Sequence, residues 1–292
     1  MAAQDPNHRG IMVDDLARGR RPLGSLGGVA EFAVDASGNV SLVGPDGEDA
    51  GFVQANSTGY QYATCILPLN QSGGPSVLPT DYSKEQTACT FGASVTAPWA
   101  NAGYFTSVAG ADDKTLIVPN SAIRLNLSTD SFLFGFTLKK SAPAGTETIL
   151  GCSNLTNEPG FSVNIQLTSG YLGQRLFVNG GVVATTYSSV AAATDAEKRI
   201  MVAWDAVDKT FTSWIDGAQV LRQTATTVAA TDIIATNLRL GRTTTGNTVD
   251  AKFAGFHFAR FLSSGLPKNM DELALADNTF RRSALSSLPV FL

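Results

Sequence analysis

Apolar and polar residues alternate along much of this chain, in short runs separated by turn-forming residues. Ser131-Phe-Leu-Phe-Gly-Phe-Thr-Leu138 is the clearest run: Phe132, Phe134, Phe136 and Leu138 recur at every second position. That period turns one set of side chains to one face of a β-strand. Leu116-Ile-Val118 precedes it and ends at Pro119, and Thr148–Leu150, Phe161–Leu167, Arg175–Val178 and Val182–Tyr187 follow. Ile200–Trp204, Thr210–Ile215, Leu238–Gly241 and Ala251–Phe261 complete the series. Asn179-Gly180-Gly181 lies between two runs as a hairpin signal. Short strands at regular spacing, punctuated by turns, predict an antiparallel β-sandwich.

The pattern is different before residue 115. Val29–Val34 and Val40–Val43 alternate around Asp35-Ala-Ser-Gly-Asn39, and Pro45-Asp46-Gly47 supplies a further turn, which predicts a small β-meander. Residues 55–115 hold Pro68, Pro75, Pro79 and Pro98 with short apolar pieces, so the first sandwich strands are expected here among long loops. Residues 1–22 read as an extended arm with at most a helical turn from Met12 to Ala17. A short C-terminal helix is expected from Asn269 to Ser283, capped by Asn269 with Glu272 at the third helical position. The tail, Leu288-Pro-Val-Phe-Leu292, is apolar. Two regions follow: an arm and meander over 1–55, and a sandwich with its helix and tail over 56–292.

Charged residues are only 16% of the chain, against roughly a quarter in ordinary soluble chains. A surface of Thr, Ser, Asn, Gly and Ala suits dense packing against other proteins, where a buried charge would need a partner. A net charge of −4 gives no basis for general nucleic-acid affinity, and no apolar run is long enough to span a membrane. The N-terminus lacks a basic-then-apolar leader, so the expected site of synthesis is a cytoplasm. Cys65, Cys89 and Cys152 fit no metal spacing and read as buried thiols, with a Cys65–Cys89 bridge as the alternative. His8 and His257 are the only histidines, which excludes a multi-histidine metal site within one chain.

The ordered set Ile149-Leu-Gly151, Gly160-Phe-Ser-Val-Asn-Ile165, Arg199-Ile-Met-Val-Ala-Trp-Asp205, Phe211-Thr-Ser-Trp-Ile-Asp-Gly217, Leu238-Arg-Leu-Gly241 and Ala254-Gly-Phe-His-Phe-Ala-Arg-Phe261 resembles concanavalin-like/laminin-G domains, over about residues 115–275. Asp35-Ala-Ser-Gly-Asn-Val40 and Val43-Gly-Pro-Asp-Gly47 look like the short β modules of tailed-phage virion proteins. Together the resemblances imply an all-β jelly roll in a bacteriophage virion protein. The expected role is non-enzymatic: a fibre or adsorption protein that binds a host-surface glycan, with a capsid decoration protein as the alternative. They also imply a homo-oligomer, a trimer by analogy with virion appendages, held to other virion proteins through the arm.

The candidate residues follow from those expectations. Glycosidases of this architecture place Glu-x-Asp-x-x-Glu on one strand to aim carboxylates at one sugar. No glutamate here sits in that pattern, and Glu147 and Glu158 read as solvated turn residues. A glycan-cleaving enzyme would therefore need loop carboxylates that converge in space. Sugar sites combine an aromatic platform with amide and carboxylate hydrogen bonds, and Trp99, Tyr104, Tyr171 and Tyr187 are the candidates, with Trp204 and Trp214 assigned to the core. The laminin-G resemblance implies calcium on rim loops, with Asp205, Asp208, Asp216, Asn247 and Asp250 as its ligands, although Asp216-Gly217 reads more simply as a turn. Alternation along Ala251–Phe261 puts Phe256, Phe258 and Arg260 on one face and Phe253, His257 and Phe261 on the other. His257 reads as a packed histidine with one hydrogen bond, or as a ligand or pH-sensing group. Arg9, Arg18, Arg20 and Arg21 of the arm are expected to pair with carboxylates of neighbouring subunits.

Overall fold

Each apolar run singled out from Leu116 onward forms a strand. The computed structural model describes residues 31–34, 40–43 and 63–278, apart from 70, 82, 84, 101–102, 142, 144, 154–157, 167–168, 180, 226, 244–247, 268–269, 272 and 276. The chain divides into two compact units, Ala63–Leu266 and a second made of Met1–Tyr62 with Pro267–Leu292. In the second unit, β1 (Glu31–Val34) and β2 (Val40–Val43) pair antiparallel as the meander pattern predicts. The described residues between 270 and 278 are helical, while the proposed cap at Asn269 and Glu272 lies outside the described residues, as does the arm.

The first unit is a two-layer antiparallel sandwich. It begins with β3 (Ala63–Leu67), β4 (Thr90–Phe91), β5 (Phe105–Ser107) and β6 (Leu116–Val118), followed by a helical turn, α1 (Asn120–Ile123). Then come β7 (Ser131–Lys139), β8 (Glu147–Gly151), β9 (Gly160–Ile165), β10 (Tyr171–Val178), β11 (Gly181–Ala191) and β12 (Glu197–Asp205). The last strands are β13 (Thr210–Ile215), β14 (Ala218–Thr224), β15 (Leu238–Leu240) and β16 (Ala251–Phe261). The first sheet runs β14-β13-β12-β7-β16-β3, with β5 also paired to β16, and the second runs β11-β10-β9-β8-β15-β6-β4. Every pairing is antiparallel, and the runs β8-β9-β10-β11 and β12-β13-β14 join consecutive strands, whereas the other pairs are between strands that are not consecutive in sequence; Asp216 (φ 52°) and Gly217 (φ 84°) form the turn between β13 and β14, both in the left-handed conformation a two-residue hairpin requires. Edge strand β14 escaped the sequence pattern because only Leu221 among its residues is buried.

The inner faces meet in an aromatic core. Phe132 and Phe134 of β7 stack on Phe161 of β9 at 4.8 and 4.9 Å between ring centroids, and Phe258 of β16 joins them. One polar link crosses the core: buried Gln174 of β10 donates to the Phe211 carbonyl (2.7 Å) and accepts from the Ser213 hydroxyl, both on β13. Buried amides that reach partners this way fix which strands face each other.

Phe132, Phe134, Phe136 and Leu138 of β7 share the core face as the pattern predicts, and the positions opposite them, Ser131, Leu133, Gly135 and Thr137, are buried too. One expectation needs correction. In β16 the two-residue alternation is broken by a bulge at Gly255 (φ 49°), where pairing with β7 skips between Ala254 and His257. Phe253 therefore lies in the core with Phe256 and Phe258, stacked on Phe105, rather than on the face of His257.

Candidate functional site

Alternation gives the second sheet a polar outer face. Because Phe161, Val163 and Ile165 of β9 enter the core, Ser162 and Asn164 stand on the opposite side. Backbone register carries that side across neighbouring strands: Thr148 of β8, Asn164, Gly173 of β10 and Tyr187 of β11 make one row. Arg239 of β15, Gly151, Ser162, Arg175 and Thr185 make the next. Glycines keep the floor low. A Cβ on Gly173 would lie 2.4 Å from Tyr187 Cε1, so the tyrosine ring lies directly on that glycine. A Cβ on Gly151 would come within 3.0 Å of Thr243.

The floor residues are ordered by their own hydrogen bonds. Thr148 Oγ1 donates to Asn164 Oδ1 (2.6 Å), which leaves the Asn164 amide oriented toward Ser162 Oγ at 3.5 Å. Ser162 and Asn164 are only 1% exposed, whereas Thr148, Arg175, Tyr187 and Arg239 are half-buried and form the accessible part of the face. Arg175 Nη2 reaches the Tyr187 hydroxyl at 3.4 Å. At the other end Arg239 Nη1 donates to Asp113 Oδ2 (2.6 Å), and Arg242 Nε lies 3.8 Å from Asp113 Oδ1. Partial burial alone would raise the Asp113 carboxyl, but the Thr115 hydroxyl and the two guanidiniums outweigh it and hold the group below its ordinary value. The Thr148 hydroxyl, the Arg175 and Arg239 guanidiniums and the Tyr187 phenol ring, supported by the buried Ser162 and Asn164, are the kinds of group that bind a polyhydroxylated ligand by directional hydrogen bonds and ring contact.

Of the aromatic candidates, Tyr171 and Tyr187 fall on this face and are half-buried. Half-buried Tyr104 stands beside β5 of the first sheet, apart from them. Trp99 is 6% exposed, packs against Phe91 and Phe105, and donates Nε1–H to the Val77 carbonyl, so it is a core residue and offers no platform. Trp204 is in the core, while Trp214 is buried on the outer side of the first sheet. The described calcium candidates form no ligand cluster, although the Asp208 N–H donates to Asp205 Oδ1. Asp205 accepts from the backbone of Val207 and Leu266, Asp216 binds Lys198, and the Asp250 carbonyl accepts from Lys140 Nζ. Asn247 and the four arm arginines lie outside the described residues. Among the described residues no three His, Cys, Asp or Glu side chains group as metal ligands, and no helix is long and apolar enough to cross a membrane. Glu147, expected to be solvated, is paired with buried Lys140 at 2.6 Å.

His257 is fully buried on the outer side of the first sheet, with Nδ1 3.0 Å from Arg199 Nη2, while Arg199 Nη1 donates to the Gly255 carbonyl. The three cysteines are buried free thiols, and Cys65 and Cys89 approach to 3.9 Å between sulfurs. Sequence reasoning passed over Thr148, Ser162, Asn164, Arg175 and Arg239. The signal for the middle pair was present, since Ser162 and Asn164 alternate with the three apolar residues of β9.

No family model matches the chain, and no curated protein does. Solved structures do. The binding domain of Paraclostridial Mosquitocidal Protein 1 is 13% identical with a TM-score of 0.57, the match covering 76% of this chain and 53% of that one. Botulinum neurotoxin type C, whose cell entry depends on interaction with two ganglioside molecules, is 15% identical with a TM-score of 0.55, over 75% of this chain and 51% of that one. The botulinum neurotoxin serotype G binding domain is 12% identical with a TM-score of 0.56, over 76% and 52%. The chain thus spans about half the length of the structures it resembles. At these identities the likeness is one of fold, and these structures are of toxin proteins and their binding domains.

Proposed function

We propose that this chain is a non-enzymatic attachment protein whose sandwich, of the jelly-roll kind, binds a host-surface glycan through the outer face of its second sheet. The observation that carries this reading is the row Thr148, Asn164, Gly173 and Tyr187 beside Arg175: hydrogen-bonding groups held in register, next to an aromatic ring laid on a glycine. The fold of the toxin binding domains supports it, one of them acting through gangliosides. The wider setting is a bacteriophage virion, with residues 1–55 as the anchor to other virion proteins. The composition, only 16% charged, also suits a capsid decoration protein, which is the second reading.

Retention of the full chain on immobilised surface polysaccharides tests the site. Tyr187→Ala should cut retention about tenfold, in line with loss of an aromatic platform, while Tyr104→Ala should leave it unchanged. Equal retention by both variants would remove the second sheet from the reading. Deleting residues 1–22 tests the setting: lost virion incorporation with cell binding kept supports the anchor and attachment roles. Lost incorporation with no cell binding by the sandwich favours decoration.

A further inference from the structure

Arg175 differs from the other cations of this face. Asp113 neutralises Arg239 and lies beside Arg242, but neither Asp113 nor Glu158 pairs with Arg175. Among the described residues its one hydrogen bond is the long one to the Tyr187 hydroxyl, and its Nε is buried with no hydrogen-bond partner. A guanidinium is charged at every physiological pH and carries five N–H donors in a planar fork that fits a carboxylate two at a time. Leaving such a group half-buried with no carboxylate partner among the described residues costs free energy, which a ligand anion would recover. The surroundings exclude a bare charge trap. Arg175 shares its row with Ser162 and Gly151, and the ring of Tyr187 covers Gly173 two residues earlier on the same strand. Three strand spacings of ~4.8 Å put Arg175 and Arg239 ~14 Å apart along that row.

We propose that the glycan bound here is acidic: a uronate- or sialate-type sugar whose carboxylate takes the fork of Arg175, with its ring against Tyr187 and its hydroxyls toward Thr148 and Arg239. The proposal rests on the glycan-attachment reading and narrows it to a substrate class.

Calorimetry on the full chain with trigalacturonate and sialyllactose, against trigalactose and lactose, and with acetate and sulfate as bare anions, decides it. An acidic sugar should bind at least about tenfold more tightly than its neutral counterpart, the worth of one charge-assisted pair. Arg175→Gln should erase that preference, so that acidic and neutral sugars bind alike, while the circular dichroism of the fold stays unchanged. Arg175→Lys should restore only part of it, because an ammonium cannot make the bidentate contact. If acidic and neutral sugars bind alike and Arg175→Gln changes nothing, the acidic preference is overturned while the glycan reading stands. If acetate or sulfate binds as tightly as the acidic sugars, the site holds an anion only and the proposal fails. If the folded wild-type chain binds no saccharide, both fall together.

Discussion

The two sheets of this sandwich share one core, yet their outer faces differ in chemistry. On the first sheet Leu133, Met201, Ala203, Trp214 and Phe261 are all buried on the side away from the core, with the Arg199–His257 contact among them. On the second sheet the equivalent side carries Thr148, Ser162, Asn164, Arg175 and Tyr187. Both faces use a glycine to make room for a side chain: Gly135 beneath His257 and Arg199, Gly173 beneath Tyr187. The neighbour decides what each glycine does. A fully buried histidine against a buried arginine has nowhere to go, so the first face is packing. A half-buried tyrosine can swing, so the second face can accept something else. The same strand geometry makes a packed wall on one side and, on the other, the polar face proposed as a contact surface.

Removing what the faces share should have the largest effect. Phe134→Ala, which empties a site stacked on Phe132, Phe136, Phe161 and Phe258, should cost about 3–5 kcal/mol in urea unfolding, more than any outer-face substitution. Fastening the sheets should act in the other direction. Cys65 lies on edge strand β3 of the first sheet and Cys89 just ahead of edge strand β4 of the second. Oxidised glutathione can accept their two hydrogens, giving one Cys65–Cys89 bond and two glutathione thiols. The product should be lighter by two hydrogens and about 3 kcal/mol more stable from loop closure, raising Tm by about 6–12 °C. Burial pushes the Cys65 thiol well above its ordinary value, so the reaction should speed up with pH, and Cys89→Ser should abolish it.

The glycine pair tests the contrast itself. An alanine Cβ at 135 would sit 2.5 Å from His257 Cε1 and 2.7 Å from Arg199 Nη2, so Gly135→Ala should cost about 2–3 kcal/mol. The clash at 173 is as close, but Tyr187 can rotate away, so Gly173→Ala should cost about 1 kcal/mol or less while displacing the ring and weakening glycan retention. Equal costs, by chemical denaturation, would erase the distinction between wall and contact surface.

Much of the sandwich was legible because its runs obey the two-residue period and their turn residues carry the needed backbone conformations. What escaped has local causes. The bulge at Gly255 inserts a residue into the period and moves Phe253 to the core side, a shift no alternation count can detect. Edge strand β14 buries too little to leave a pattern. The candidate face was only partly legible. Tyr171 and Tyr187 were singled out as aromatics and lie on that face in β10 and β11, whereas Trp99 is buried because it packs on Phe91 and Phe105, brought in by strands of two and three residues. Arg175 and Asn164 join Tyr187 only through strand register across β9, β10 and β11, which is tertiary information.

The smallest expected effect concerns the acid side of the polar face. Asp113 is held below its ordinary value in the folded chain, so its contribution is fully present above the unfolded carboxyl value of about 3.9 and disappears as pH falls through the lower folded value. The Arg239–Asp113 pair is mostly but not wholly buried, with side chains 19% and 24% exposed, so the contribution should stay near or below ~1 kcal/mol. Thermal melts of wild type and Asp113→Asn should therefore differ by a constant small amount from about pH 5 to 7 and converge as the medium drops below about pH 4. The Gly135→Ala defect involves no carboxylate and should not follow that convergence. If both variants converge with wild type over the same acid range, the charge at Asp113 is not what holds Arg239, and the division of this face into one neutralised arginine and one without a carboxylate partner among the described residues fails with it.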